Sequence, residues 1–207
     1  ESRVVGFTTQ TGEKHLFDHV ILALPMPHAA PLLPASWESY AAQLARIEYT
    51  AIACVVLKLR RPLTPHFWLN VHDEHIPFNG VIEFSNLNPQ CAGGDHLLYV
   101  PYYTPLDSPV YAASDSALLD STWECLRRIN LTLKREDLLG YGIFRDPCAQ
   151  PICPVGFSKY APHCHSPIHG LHFLESTFLY PEDRSLSGLL AHARSCAQDI
   201  HAAHLHG

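Results

Sequence analysis

No run of Lys or Arg in this sequence is longer than two residues (Arg60–Arg61 and Arg127–Arg128). Nucleic-acid binding rests on a concentrated basic patch. With a formal net charge of −6 as well, that class is set aside. Charge of either sign is scarce: 16% of the 207 residues are charged, against about 25% in an average globular protein. A chain so poor in charge buries much of itself, or buries part of itself against something else. No apolar stretch approaches the ~20 residues that span a bilayer. No basic segment leading into an apolar run opens the chain, as it would in a secretory leader. The expected compartment is the cytoplasm. The first residue is Glu1 rather than Met, which raises the expectation that natural sequence precedes it.

Other absences narrow the chemistry. The seven cysteines (54, 91, 125, 148, 153, 164 and 196) are odd in number and widely spaced. They offer neither a disulfide framework nor a Cys-x2-Cys zinc signature, so reduced and mostly buried thiols are expected. There is no Gly-x-Ser-x-Gly nucleophile elbow. Of the fifteen histidines, His163, His165, His169 and His172 gather near Cys164, and His72 and His75 stand three apart. Zinc asks for four ligands in fixed geometry, usually in tighter pairs, so these histidines are expected to pack or to face solvent and no metal is expected. The phosphate-cradling Gly-x-Gly-x-x-Gly is also missing. The adjacent pair Gly93–Gly94 lies in a loop before a strand.

What is present alternates between strand and helix signals. Residues 3–10 and 15–24, joined at Thr11–Gly12, read as a hairpin feeding a buried strand. Prolines 25, 27, 31 and 34 then break regular structure. Ser36 is placed to cap a helix through Arg46. Residues 51–59 form an apolar run typical of a central strand. With 67–71, 81–85 and 96–103 they predict a largely antiparallel sheet. Ser114 begins the clearest helix, to about Leu133, with Leu118, Leu119, Trp123, Leu126, Ile129 and Leu133 as its apolar stripe. A strand over 138–145, a proline-punctuated loop over 147–169 and a short buried strand over 170–176 follow. Asp183 or Ser185 caps a last helix, with Leu186, Leu189, Leu190, Ala193, Ala197 and Ile200 turned inward. No internal repeat is found.

Three segments in this order resemble a known family. The first is Val4–Val5, a glycine turn, and Phe17-Asp18-His19-Val20-Ile21-Leu22-Ala23-Leu24-Pro25. The second is Ile76–Leu87 followed by His96–Tyr103. The third is Gly170–Gly188. Together they are similar to the C-terminal portion of FAD-dependent amine oxidase and protoporphyrinogen oxidase-like flavoproteins, and the likeness covers nearly the whole chain. It implies an α/β (α+β) architecture. An incomplete Rossmann-type FAD domain (1–25 and 170–207) accompanies a substrate domain (26–169) with a mainly antiparallel sheet and flanking helices. By the resemblance, Val5 lies on the strand passing the adenine, and Glu175, Ser185, Ser187 and Gly188 lie where the closing strand and helix meet the flavin. A helix N-terminus suits that role because its N–H groups are unpaired and its dipole end is positive. Many relatives carry Asp where Glu175 stands, so that carboxylate is displaced by one methylene.

Substrate-side candidates carry two readings each. Arg145 and Arg184 pair with an anionic substrate or form structural ion pairs. Tyr102 and Tyr103 line a pocket or pack in the core. Glu83, mid-strand among apolar neighbours, is a pocket group or needs a buried partner. The implied activity is oxidation of a small organic substrate by hydride transfer to FAD, with this chain alone inactive and holding FAD weakly. The alternatives are a non-catalytic substrate-binding or interaction domain, covered by a partner chain or by self-association, and a flavin-dependent enzyme of the nucleotide-sugar mutase kind.

Overall fold

The computed structural model describes residues 3–206. In chain order its elements are β1 (Gly6–Thr8), β2 (Lys14–Leu16), β3 (Val20–Leu22), α1 (Met26–Ala29), α2 (Glu38–Leu44), β4 (Tyr49–Leu59), β5 (Trp68–Asn70), β6 (Gly80–Glu83) and β7 (His96–Thr104). There follow α3 (Pro109–Ala112), α4 (Asp115–Ile129), β8 (Leu138–Pro151), β9 (Leu171–Phe173) and α5 (Leu186–His206). They gather into two compact units, Glu1–Glu48 with Gln150–Gly207, and Tyr49–Ala149. The chain leaves the first unit once and returns to it. The crossings lie near 48 and 150, whereas the sequence reading drew boundaries at 25 and 170.

The central unit is a five-stranded, mainly antiparallel sheet in the order β5-β6-β7-β4-β8. The β4–β7 ladder runs from Ala51↔Thr104 to Leu59↔His96. Its inward positions alternate, as a pleated strand requires: Ala51, Ala53, Val55, Leu57 and Leu59 on β4, and Leu98, Val100 and Tyr102 on β7, are all buried. α4 supplies Leu118, Leu119, Trp123 and Leu126 to the same apolar cluster. Each fully buried Val or Leu there contributes about 1.5–3 kcal/mol. Ser114 caps α4 by accepting a hydrogen bond from Ala117 N at 3.3 Å. The fold is α+β, in agreement with the sequence reading.

The terminal unit holds two small sheets. β1 and β2 form an antiparallel hairpin, and β3 pairs in parallel with β9, Val20↔Leu171 to Leu22↔Phe173. The strand expected over 15–24 is therefore two elements. The chain turns at Asp18, whose carboxylate is 3.2 Å from Arg3, and leaves the hairpin to join β9. Gly170 makes that approach possible. At φ +77°, an added Cβ would lie 2.5 Å from Asp18 O.

Four further boundaries differ from expectation. Ser36 does not cap a helix but sits inside a 3-10 turn, Ala35–Trp37, and α2 starts at Glu38. Phe84 and Ser85 leave the strand for another 3-10 turn. α4 ends at Ile129, and Leu133 is buried beyond it through a turn closed by Leu133 N to Asn130 O. β8 continues through Pro147 to Pro151. It is the last strand in the sheet order, and an edge strand tolerates residues that cannot donate to a ladder.

Candidate functional site

In the terminal unit, β9 leads through Glu175, a 3-10 turn (Ser176–Leu179) and Tyr180 to α5. Of the two caps expected for this helix, Ser185 serves: its Oγ accepts from Gly188 N at 3.0 Å and its carbonyl accepts from Leu189 N at 3.0 Å. Gly188 is packed closely. A Cβ there would stand 3.0 Å from Ser185 Oγ and 3.4 Å from Leu179. Ser185 and Ser187 are exposed, and Arg184 and Glu175 are half-buried. Ser176 Oγ donates to Glu175 Oε2 at 3.1 Å. Val5 is 66% exposed, and its carbonyl accepts from Phe17 N. Four of the five cofactor candidates therefore lie along one strand–turn–helix passage, and Val5 lies in the hairpin segment. A largely apolar cavity of about 830 Å³ runs along β3, lined by Val4, Phe7, Val20, Leu22, Trp37 and Leu171 among others.

Behind β9 lies an arrangement the sequence showed only in part. His172, 7% exposed, gives each ring nitrogen to a different histidine: Nε2 is 3.1 Å from His19 Nδ1 and Nδ1 is 3.1 Å from His165 Nδ1. His165 Nε2 in turn is 3.6 Å from Asp199 on α5. The three imidazoles can be satisfied while neutral, His19 donating to His172 and His172 to His165, with the His165 Nε2 side facing the carboxylate. Burial, then the neighbouring His165, His19 and His169, lowers the His172 pKa to about 4. Among the described residues no group of three or more His, Cys, Asp or Glu is arranged to hold a metal. The local His163–His172 cluster was legible. His19, 153 positions away from His172, was not, although a histidine beside a buried strand is a signal that a second polar group must meet it.

Of the substrate-side candidates, Arg184 lies in the terminal unit and Glu83, Tyr102, Tyr103 and Arg145 lie in the central one. Glu83 is 2% exposed. Its carboxylate accepts from Leu63 N at 3.1 Å and Thr64 N at 2.9 Å, with His96 Nδ1 at 3.3 Å but off the hydrogen-bond line. Burial raises its pKa, opposed by the Thr64 and Leu63 amides, His96 and Asn86. Tyr102 is buried, with its hydroxyl 2.7 Å from Thr122 Oγ1, and burial pushes its pKa up to about 12. Tyr103, next along β7, is 43% exposed and takes the opposite face. Arg145 meets Asp115 at 2.6 Å and donates to Tyr111 O at 3.0 Å and Ala113 O at 2.7 Å. It thereby fastens the α3–α4 junction to β8.

Known proteins extend this description. The sequence model for flavin containing amine oxidoreductases matches residues 1–173. No curated protein matches the chain. Among solved structures the chain is similar to an Exiguobacterium sp. protein assigned as a protoporphyrinogen oxidase, with TM-score 0.69 and 17% identity over 97% of this chain and 44% of that one. It is similar to an oxidoreductase from Methanosarcina mazei, with TM-score 0.61 and 21% identity over 84% and 40%. It is also similar to a reduced UDP-galactopyranose mutase, with TM-score 0.60 and 16% identity over 77% and 37%. At these identities the likeness is one of fold. The chain spans less than half the length of each.

Proposed function

The chain belongs to the flavin-containing amine oxidoreductase family, and from that premise we propose that it is part of a flavin-dependent oxidoreductase that oxidises a small organic molecule. In this reading the terminal unit is the far side of an FAD domain and the central sheet is the substrate side. The observation that carries it is the β3–β9 sheet. Among the described residues it has two strands, and they are parallel. Parallel sheets are built with both faces covered, and two strands alone do not make a stable sheet. Ile21 on β3 is 47% exposed, with Leu16, Leu32 and Leu186 more so. Further strands and helices, from a preceding segment or a partner chain, complete such a sheet.

The residues present fit one part of the cofactor. Glu175, directly after β9, offers a carboxylate to a ribityl hydroxyl. Ser185 caps the first turn of α5 through Gly188 N, the exposed Ser185 and Ser187 offer hydroxyls there, and Gly188 keeps that turn narrow. Val5 contributes an exposed apolar side chain on the adenine side. The residues that would grip the diphosphate are not in this sequence, since no glycine fingerprint occurs in it. When bound, FAD supplies a hydride acceptor. The protein's share is orientation and exclusion of water. Tyr103 offers an exposed ring and Arg184 a cation for substrate. Glu83, Tyr102 and Arg145 act by holding the central sheet and the elements packed on it.

By itself the chain is expected to hold FAD weakly and to turn over little substrate. Flavin fluorescence and absorbance after desalting an FAD-saturated sample check this. The expected retention is far below one flavin per chain, and stoichiometric retention contradicts the reading. The likeness to a galactopyranose mutase fold makes a nucleotide sugar the second substrate class. Binding of UDP-sugars by the completed flavoprotein, without net flavin reduction, would favour it over amine oxidation.

A further inference from the structure

We propose that Cys164 and Cys196 are a redox-responsive pair whose disulfide fastens helix α5 to strand β9. This inference does not depend on the flavin reading. The two sulfurs are 2.6 Å apart, inside van der Waals contact, and both cysteines are free thiols. Neither position is loose. Cys164 O accepts from Phe173 N at 2.8 Å, which ties Cys164 to β9. Cys196 is 3% exposed on α5. One residue along, His165 faces Asp199 at 3.6 Å. Residues 196 and 199 share a helix face, so two consecutive loop residues meet one stripe of α5 in register. A tetrahedral metal is the other use of two adjacent sulfurs, but it would hold them about 3.8 Å apart at Zn–S bonds of about 2.3 Å. A bond between them is what this geometry prepares.

Formation needs a two-electron oxidant, hydrogen peroxide or a low-molecular-weight disulfide. With peroxide, the half-buried Cys164 sulfur loses its proton and attacks one oxygen. The O–O bond breaks, one water leaves and a sulfenic acid remains. Cys196 then gives up its proton and attacks that sulfur, expelling a second water. Two thiols and one peroxide become one disulfide and two waters. Burial and the adjacent Cys196 raise the Cys164 pKa to about 12, so the thiolate is scarce at neutral pH and the bond forms slowly, faster as pH rises. Cys91 and Cys153 are exposed, so they are the sites where unselective oxidation would fall first.

The test uses the full 207-residue chain, reduced and then incubated with oxidised glutathione or hydrogen peroxide. Denaturing alkylation with intact mass, non-reducing peptide mapping and a thermal melt read the result. Expected are the loss of two hydrogens, five alkylated thiols in place of seven, a peptide linking Cys164 to Cys196, and a Tm higher by roughly 5–10 °C. That rise follows from closing a 32-residue separation in the unfolded chain. Cys164→Ala and Cys196→Ala lose the link and the rise, whereas Cys91→Ala keeps both. Hydrogen exchange in α5 slows on oxidation of the wild type and of Cys91→Ala, and not of Cys164→Ala or Cys196→Ala. Linkage to other cysteines, persistence of seven reactive thiols, or a linked chain with unchanged Tm and unchanged exchange in α5 would overturn the proposal.

Discussion

Glu83→Ala is expected to destabilise the central unit by about 3 kcal/mol or more, the range for breaking a buried charge network. The side chain is 2% exposed and its oxygens accept from Leu63 N and Thr64 N. Truncation leaves two turn amides without an acceptor and His96 without its facing carboxylate. Those amides position Leu63, itself in the apolar cluster. Glu83→Gln keeps one acceptor oxygen and turns an NH2 group toward the other amide, so it should lose about half as much. Urea denaturation of the three proteins gives the order wild type, Gln, Ala. An alanine variant within about 0.5 kcal/mol of wild type, the usual effect of an exposed substitution, would show that the carboxylate does not hold the turn.

The second large effect is acid sensitivity of the terminal unit through His172. Its pKa lies at about 4 against an ordinary 6.5. The folded state therefore binds fewer protons than the unfolded state between those values. Its contribution is fully present above pH 6.5, declines as pH falls, and is spent near pH 4. The whole is roughly 3 kcal/mol, from about 1.4 kcal/mol for each unit of pKa difference. His19, His165 and His169 act on the ring, and Asp199 faces the far nitrogen of His165. Glu83, whose pKa is raised, responds to acid in the opposite sense. The measurement is accordingly the difference between wild type and His172→Phe across pH 7 to 4. The gap in stability should shrink by about 3 kcal/mol over that span. A gap independent of pH would mean that His172 takes up protons as readily folded as unfolded.

Much of the fold could be read from residue order because the strongest signals were local. β4 combines a β-branched apolar run with a closing Arg60-Arg61-Pro62, and α4 combines a serine cap with a helical stripe. β4 appears where expected, and α4 starts where expected but ends at Ile129. The missed boundaries have non-local causes. Pro147 and Pro151 looked like strand breakers, and only the place of β8 at the sheet edge makes them harmless. Ser36 had the right side chain for a cap, but Pro34 and the turn after it put the helix start one residue later, with Trp37 at the cap position. The break at Asp18 comes from pairing with β9, some 150 residues on, and no local pattern announces it.

The candidate site was legible to the same degree. The strand–turn–helix carrying Glu175, Ser185, Ser187 and Gly188 was visible because capping residues and a buried strand lie within twenty positions. For Glu83, Tyr102 and Arg145 composition left two readings, and the structure gives their polar atoms to turn amides, to Thr122 and to the α3–α4 junction. The Cys164–Cys196 contact and the His19–His172 hydrogen bond could not be read at all. Each joins residues whose partners are set by how α5 and β3 pack on β9, and an odd, widely spaced cysteine count pointed away from pairing.

On the proposed function, the complete protein closes around a flavin whose diphosphate is gripped by a glycine fingerprint that residues 1–207 do not contain. The most direct measurement is flavin retained after desalting by this chain alone, beside the same chain joined to a βαβ segment carrying Gly-x-Gly-x-x-Gly from a family member. The account predicts close to one FAD per molecule for the joined protein and little for the chain alone. Equal retention by the two, whether full or negligible, would contradict it.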